Sequence, residues 1–529
     1  MKKVTMKGGV MRMKRTVSIL LVWAAILPCA GAYASRLHQE DGIYPNQSAE
    51  YVRTLNRNAS READAAFYNP AGLAFMERDG LYVMFSSQTY YARREHTMDY
   101  YAIDLNGGGA HATAHSLNAF SDTLPGKYYA ETTAPALPDL NVVWRRGGQA
   151  AYFGVGVMQA APGMTFPKGL AVIDWGNLAT PETLLEQDGS NDFYSFQSKA
   201  EAVRTEYYIG MTAGYAYEVY KGISVAGGLR YINAHGNMKI AVTDISYTYQ
   251  TGSAPETVLV NDWNIDVDTQ GHGAGVILGA HFRPGEYVSV LKGTDIGLRY
   301  EYYAPMVLKK TTNKFLVPEN LESSGKLDIF KDGTSGKDMI YQSPGGNGQS
   351  TLKVTYPQTI SMGISYSVLP SLRVEASGEI SLRQYRDLDG RENDYGLGYR
   401  AGACIEWALS PAMRVSLGYV YNNFGIKDSA RDEADQLLSS HSVGAGVGIR
   451  LDDRTDISIG IFKMFFVKET QYTTEYTNVV GPTTHYLRKS YDENRFSMGV
   501  GVTYRMFGAG GGADPAGLTL GREREKETN

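Results

Sequence analysis

The sequence predicts an all-β transmembrane barrel of about 14 antiparallel strands, with a small N-terminal helical hatch plugging its lumen. Three observations predict it. Short segments with strict period-2 alternation recur from Gly80 to Phe507. The links between them alternate in length: tight at Arg146–Gln149, Val219–Gly222, Phe282–Gly293, Val368–Leu369, Ser410–Pro411 and Asp452–Thr455, long and polar at Arg93–Ala134, Pro162–Val203, Met238–Thr269 and Lys310–Thr351. Short turns at one rim and long loops at the other are a property of outer-membrane barrels, and a soluble β protein has no reason to sort its loops by parity. Finally, the chain opens like an exported protein yet holds no later apolar run near the ~20 residues that a spanning helix needs. In lipid the backbone must then be satisfied by a closed barrel.

Taken in order, residues 1–34 read as a signal peptide: Lys2, Lys3, Lys7, Arg12, Lys14 and Arg15 precede an apolar core from Val17 to Pro28 and a small-residue site, Ala32-Tyr33-Ala34. Met11 or Met13 would also serve as the start, and Pro28 before Cys29 argues against a lipoprotein site. The mature chain keeps one cysteine, Cys404, so an internal disulfide is excluded and a buried free thiol is expected. Residues 35–79 are not barrel-like. Ser48 suits an N-cap for a short helix through Tyr51, Val52 and Leu55, and Ser60 for a second running to Phe67, which Asn69-Pro70 ends. Compact helices ahead of the first strand suit a plug. Residues 80–507 form the barrel and 508–529 a flexible tail.

The strands also assign their faces. In Met413–Tyr419 and Leu397–Trp407 the odd positions are apolar and the even ones small, polar or charged. Side chains alternate across a strand, so one face is hydrocarbon for lipid and the other is lumenal. Arg230, Arg299, Arg373, Glu375, Glu379, Arg383, Arg400, Glu406 and Arg414 then point inward, either as an ion-pair network stiffening the wall or, for Arg230 and Arg299, as partners for a carboxylate. The 59 glycines suit inward positions where strands curve or the lumen stays open, and the 38 tyrosines suit interfacial girdles.

A resemblance rests on Ala65-Ala66-Phe67-Tyr68-Asn69-Pro70-Ala71-Gly72-Leu73-Ala74, which is similar to the Asn-Pro-Ala hatch motif of the FadL-type long-chain fatty-acid transporters. Tyr152–Val157 followed by Pro162-Gly163 resembles that family's third strand and its break. Tyr356–Gly363 and Arg414–Tyr419 resemble two later strands. The resemblance implies a bacterial outer-membrane barrel that takes up long-chain fatty acids or other hydrophobic small molecules. They would be captured at the extracellular loops, held at an apolar interior site and released sideways into outer-membrane lipid. It makes Asn69, Pro70 and Ala71 the hatch motif and puts Gly154, Gly156, Pro162 and Gly163 at a third-strand kink. Family carboxylate-binding residues match no motif here. Phe166, Leu170, Met306 and Leu308, at strand–loop junctions, are candidates for hydrophobic capture.

Other chemistry is weakly represented. A net charge of -5 over 529 residues argues against a nucleic-acid partner. His111 and His115 lie four apart without a nearby third ligand, so no metal is expected. No nucleophile elbow or phosphate loop is present, so the chain reads as a monomeric non-enzyme without cofactor. A general or sugar-selective porin, or a surface-exposed adhesin or antigen barrel, are the alternatives.

Overall fold

The computed structural model describes residues 48–104, 114–116, 127–168, 193–251, 254–260, 263–316, 351–388, 392–431, 436–477 and 483–507. The signal-peptide and C-terminal-tail segments, and with them His111 and Leu170, lie outside these residues, and His115 lies in the short ladder Ala114–Ser116, paired with Ala102.

Among the described residues, nineteen hydrogen-bonded segments make fourteen staves, because three staves are interrupted once and two short ladders belong to loops. The staves are β1 (Gly80–Asp104), β2 (Lys127–Arg146), β3 (Gln149–Phe166), β4 (Phe193–Tyr220), β5 (Ile223–Thr251) and β6 (Trp263–Phe282). Next come β7 (Thr294–Tyr303 and Met306–Leu316), β8 (Thr351–Val354 and Gln358–Leu369), β9 (Leu372–Leu382) and β10 (Leu397–Ser410). The last are β11 (Met413–Asn423), β12 (Ser440–Arg450), β13 (Thr455–Phe466 and Glu469–Thr477) and β14 (Thr483–Phe507). Every neighbour is antiparallel, and β1 pairs with both β2 and β14, from Leu81↔Phe507 to Asp104↔Thr483 on the β14 side. Among the described residues the fourteen staves thus close into a barrel, as a sheet in lipid requires.

The tight links fall where the parity pattern puts them. The long ones are shorter than expected, because the strands run on. β1 continues from Arg93 to Asp104, β2 begins at Lys127 rather than at Ala134, and β5 extends past Met238 to Thr251. Beyond the lipid no hydrocarbon selects apolar outward residues, so the alternation fades although the ladder continues.

The faces are inverted relative to a soluble protein. Leu397, Tyr399, Ile405, Trp407, Leu417 and Tyr419 are exposed outward, while Cys404, Glu406 and Ser416 between them are buried. Cys404 is a free thiol beside the Asn56 carbonyl.

The hatch occupies the lumen at the level of its helices. Helix α1 (Ala49–Thr54) begins at Ser48, whose hydroxyl accepts from the Tyr51 amide at 3.1 Å as its cap. It lies on a floor of wall glycines, Gly418, Gly444, Gly446, Gly460, Gly499 and Gly501, at each of which an added Cβ would strike a hatch or wall atom. Glycines expected to leave the lumen open therefore make room for a helix. At Gly418 a methyl group would overlap the Thr54 backbone carbonyl, which no side-chain rotation relieves. Gly418→Ala is expected to cost the hatch about 1–3 kcal/mol. Hydrogen exchange at Val52–Leu55 should rise while the strand amides stay protected; equal protection in both proteins would refute this.

The second helix is shorter than expected. It spans Ala65–Tyr68, and Ser60 does not cap it. The Ser60 hydroxyl is held between Arg57 (2.8 Å) and Asp64 (2.8 Å), and it accepts from the Glu62 amide in a tight turn. The buried Arg57–Asp64 ion pair at 2.6 Å thus replaces a helical turn. This second helix, α2 (Ala65–Tyr68), stops at Asn69 (φ -155°), and Pro70–Phe75 continues as a 3₁₀ helix with proline in its first turn.

Candidate functional site

Two features adjoin at mid-barrel: a cavity above the hatch and a break in the wall beside it. The cavity opens to solvent and, with the solvent space at its mouth included, spans about 1120 Å³. Tyr51, Leu55, Phe67 and Tyr68 of the hatch form its floor, and Tyr51 and Tyr68 stack at 5.3 Å. Met158, Tyr303 and Tyr356 line the wall, and Phe424 closes the loop side.

Arg230 and Arg299 meet here, both lying over the Phe67 ring at 4.8 and 5.5 Å. Arg230 donates to Thr212 (2.8 Å), Glu301 (3.2 Å) and the Tyr303 hydroxyl. Arg299 donates to the Phe67 carbonyl, Ser361 (3.1 Å) and Glu379 (3.3 Å). The ion-pair reading of these arginines therefore holds, since wall carboxylates engage both. It does not exhaust them. Arg230 Nη2 is buried and has no hydrogen-bond partner among the described residues. Among the described residues Arg230, Arg299, Arg383 and Arg400 line the cavity together with Glu301 and Glu379, so a carboxylate bound there would lie among guanidinium groups.

Beneath the hatch the charges pair across it. Arg53, fully buried in α1, donates to Glu406 at 2.5 Å and Ser416 at 3.2 Å, and Arg414 reaches Glu62 at 2.6 Å. Desolvated pairs of this kind contribute little net stability but strongly penalise misplacement, so they fix where the hatch sits.

The wall break lies between β2 and β3. Their ladder pairs Arg146↔Gln149 through Asp139↔Gly156, then holds no pair until Glu131↔Thr165. Pro135 and Pro138 stand on the β2 side of the break and Pro162 on the β3 side, each lacking the N–H that a rung would use. The inward parity of β2 also slips here, from Ala134 to Leu137, with Pro135 and Ala136 both exposed. The β3–β4 register shifts at Val157/Gln159 and again at Ala161/Met164, and Gly163 takes φ +67°. Behind the break lies an apolar cluster that includes Tyr90, Ala134, Leu137, Val157 and Ala160. Met158 and Gln159, from the same bend, line the cavity.

Of the sequence-selected residues, Gly154 and Gly156 stand in the paired part of β3, at the foot of the break, and Pro162 and Gly163 stand within it. Asn69, Pro70 and Ala71 dock on the wall at β5–β7. The Ser224 hydroxyl donates to the Ala71 carbonyl (2.7 Å), and Gly279 admits Pro70. Met306 and Leu308 do not form an exposed capture surface. They are buried in the wall cluster with Tyr208, Ile232 and Tyr303, because their strand positions face inward. Phe166 is likewise buried, at the far end of β3. Sequence reasoning missed Pro135 and Pro138, whose spacing inside a strand was the available signal.

A second, polar pocket opens at the short-turn rim under the hatch, around Glu77, Arg78, Asp453 and Arg454. Burial pushes the Glu77 carboxyl up to about 7, against the pull of Arg61, Arg450 and Arg78. Raised in the folded state, it favours the seated hatch fully below its ordinary value near 4.5, and that contribution is lost as pH climbs to about 7. Protection of the Met76–Gly80 amides is therefore expected to fall by about 1–2 kcal/mol between pH 5 and pH 8 in the native chain. Glu77→Gln should be flat over that range, and a flat native profile would contradict the assignment.

The fold and the site together define a hatched transmembrane β-barrel with an interior cavity and an interrupted wall. The same fold is found in the crystal structure of a Pseudomonas aeruginosa FadL homologue (14% identity, 87% of this chain and 98% of that one, TM-score 0.56). Also similar are the toluene transporters TodX of P. putida (12%, 85% and 95%, 0.45) and TbuX of Ralstonia pickettii (13%, 89% and 100%, 0.45). No family model matches the chain, and no curated protein matches its sequence.

Proposed function

We propose that this chain is a passive FadL-type transporter of the bacterial outer membrane. It carries long-chain fatty acids or closely similar hydrophobic acids from the interior cavity to the lipid through the β2–β3 break. The observation that carries the proposal is the juxtaposition of an aromatic-floored, arginine-ringed cavity with an apolar break in the wall. An acyl chain suits the Tyr51, Leu55, Phe67 and Tyr68 floor, and its carboxylate suits Arg230, whose Nη2 has no hydrogen-bond partner among the described residues, with Arg299 beside it. Sideways exit spares the chain a passage through the polar pocket below the hatch. A standing water-filled porin fits poorly with a lumen occupied by α1 and the 3₁₀ helix.

The test is uptake of labelled oleate by cells lacking their own outer-membrane fatty-acid transporter, with and without this chain at matched surface levels. Uptake restored by the chain supports the proposal. A correctly inserted barrel that restores none would reject fatty acids as the substrate.

A further inference from the structure

Asn69 is fully buried, and its side chain spans from the hatch to the barrel wall. Nδ2 lies 2.8 Å from the Ser60 carbonyl oxygen and 2.8 Å from His281 Nδ1. A backbone carbonyl only accepts, so the amide nitrogen and not its oxygen must occupy that position. His281 Nδ1 is thus met by an N–H and has to accept, which leaves the imidazole proton on Nε2. Nε2 lies 3.1 Å from Asp295 Oδ1, the partner that this tautomer requires. The other Asp295 oxygen is 3.4 Å from Arg61 Nε, back on the hatch, and Arg283 approaches the first at 3.7 Å.

The chain of contacts Asn69–His281–Asp295–Arg61 therefore starts and ends on the hatch and passes through the wall. The wall around it is cut to fit. A Cβ at Gly297 would run into the Asn58 carbonyl and lie 2.9 Å from Asn69 Cγ, and one at Gly279 would lie 3.3 Å from the Ala71 nitrogen. The Phe75 ring packs 5.4 Å from the His281 ring.

We propose that His281 is the wall-side positioning residue of the hatch: its Nδ1, oriented by Asp295, reads the Asn69 amide and seats the hatch motif. This goes beyond the transport reading, because it holds whatever molecule the barrel carries.

The test uses the purified full chain in planar bilayers at neutral pH, with heat-modifiable migration confirming a closed barrel. His281→Asn places a carboxamide oxygen where Nδ1 stands, His281→Gln places its polar group near Nε2, and His281→Phe keeps only the ring. The native chain and His281→Asn are expected to show background conductance, and the other two at least tenfold more, because an unseated hatch opens the lumen. A closed-barrel Gln or Phe variant as tight as the native chain, or an Asn variant as leaky as Phe, would overturn the proposal. The native protein supplies an independent readout. With ¹⁵N-labelled histidine, and His281→Asn used for assignment, the His281 side chain should show a bare Nδ1 and a protonated Nε2 at neutral pH. The opposite tautomer or the imidazolium would equally overturn it.

Discussion

Asn69→Ala is expected to lower oleate uptake by tenfold or more while leaving a closed, surface-exposed barrel. The substitution removes two buried hydrogen bonds and strands both the Ser60 carbonyl and His281 Nδ1, at a cost of about 1–3 kcal/mol for each group left unsatisfied. None of these contacts belongs to the strand ladder, so the barrel does not depend on them. The cavity does, because Phe67 and Tyr68, two of the three aromatic residues of its floor, lie in the two positions before Asn69. Unseating the motif should also admit small hydrophilic dyes. Lower oleate uptake together with higher dye entry would thus mark a displaced hatch rather than a misfolded barrel. Unchanged uptake at matched surface level would mean that the motif does not govern transport.

The second large effect is expected at Arg230. Arg230→Met keeps the aliphatic bulk over Phe67 and removes the guanidinium that pairs with Glu301 and presents a free Nη2. Glu301 retains Arg299 at 3.5 Å, so the wall keeps one of its two counter-charges. A charge-assisted hydrogen bond to a bound carboxylate contributes about 1.5–3 kcal/mol, or roughly 10- to 100-fold in affinity. Binding of oleate should weaken by that factor, whereas an uncharged hydrocarbon of equal length should bind as before. Equal loss for both ligands would assign Arg230 to the ion-pair network alone.

The division of labour between strand pattern and three-dimensional packing is visible at particular residues. Leu417 and Glu406 were assignable to opposite faces from alternation, since a period of 2 leaves one choice once either face is known. Pro162-Gly163 marked an interruption because neither residue suits a strand interior. The burial of Leu308, a capture candidate at a strand–loop junction, was not legible, because an apolar residue near a loop reads the same whether its strand has ended or continues with that position turned inward.

Determined by the sequence itself were the transmembrane barrel, its parity of short and long links, its two faces and the presence of a hatch. Each is a local pattern, repeated along the chain for the barrel and confined to one segment for the hatch, and legible without knowing any distant partner. Only the tertiary structure decided that inward glycines floor a helix, that Arg230 and Arg299 converge on Phe67, that Pro135 and Pro138 on one strand and Pro162 on the next border an unpaired stretch of wall, and that His281 meets Asn69. Those are contacts between residues tens to hundreds of positions apart, set by strand register and barrel closure, and no local periodicity encodes them.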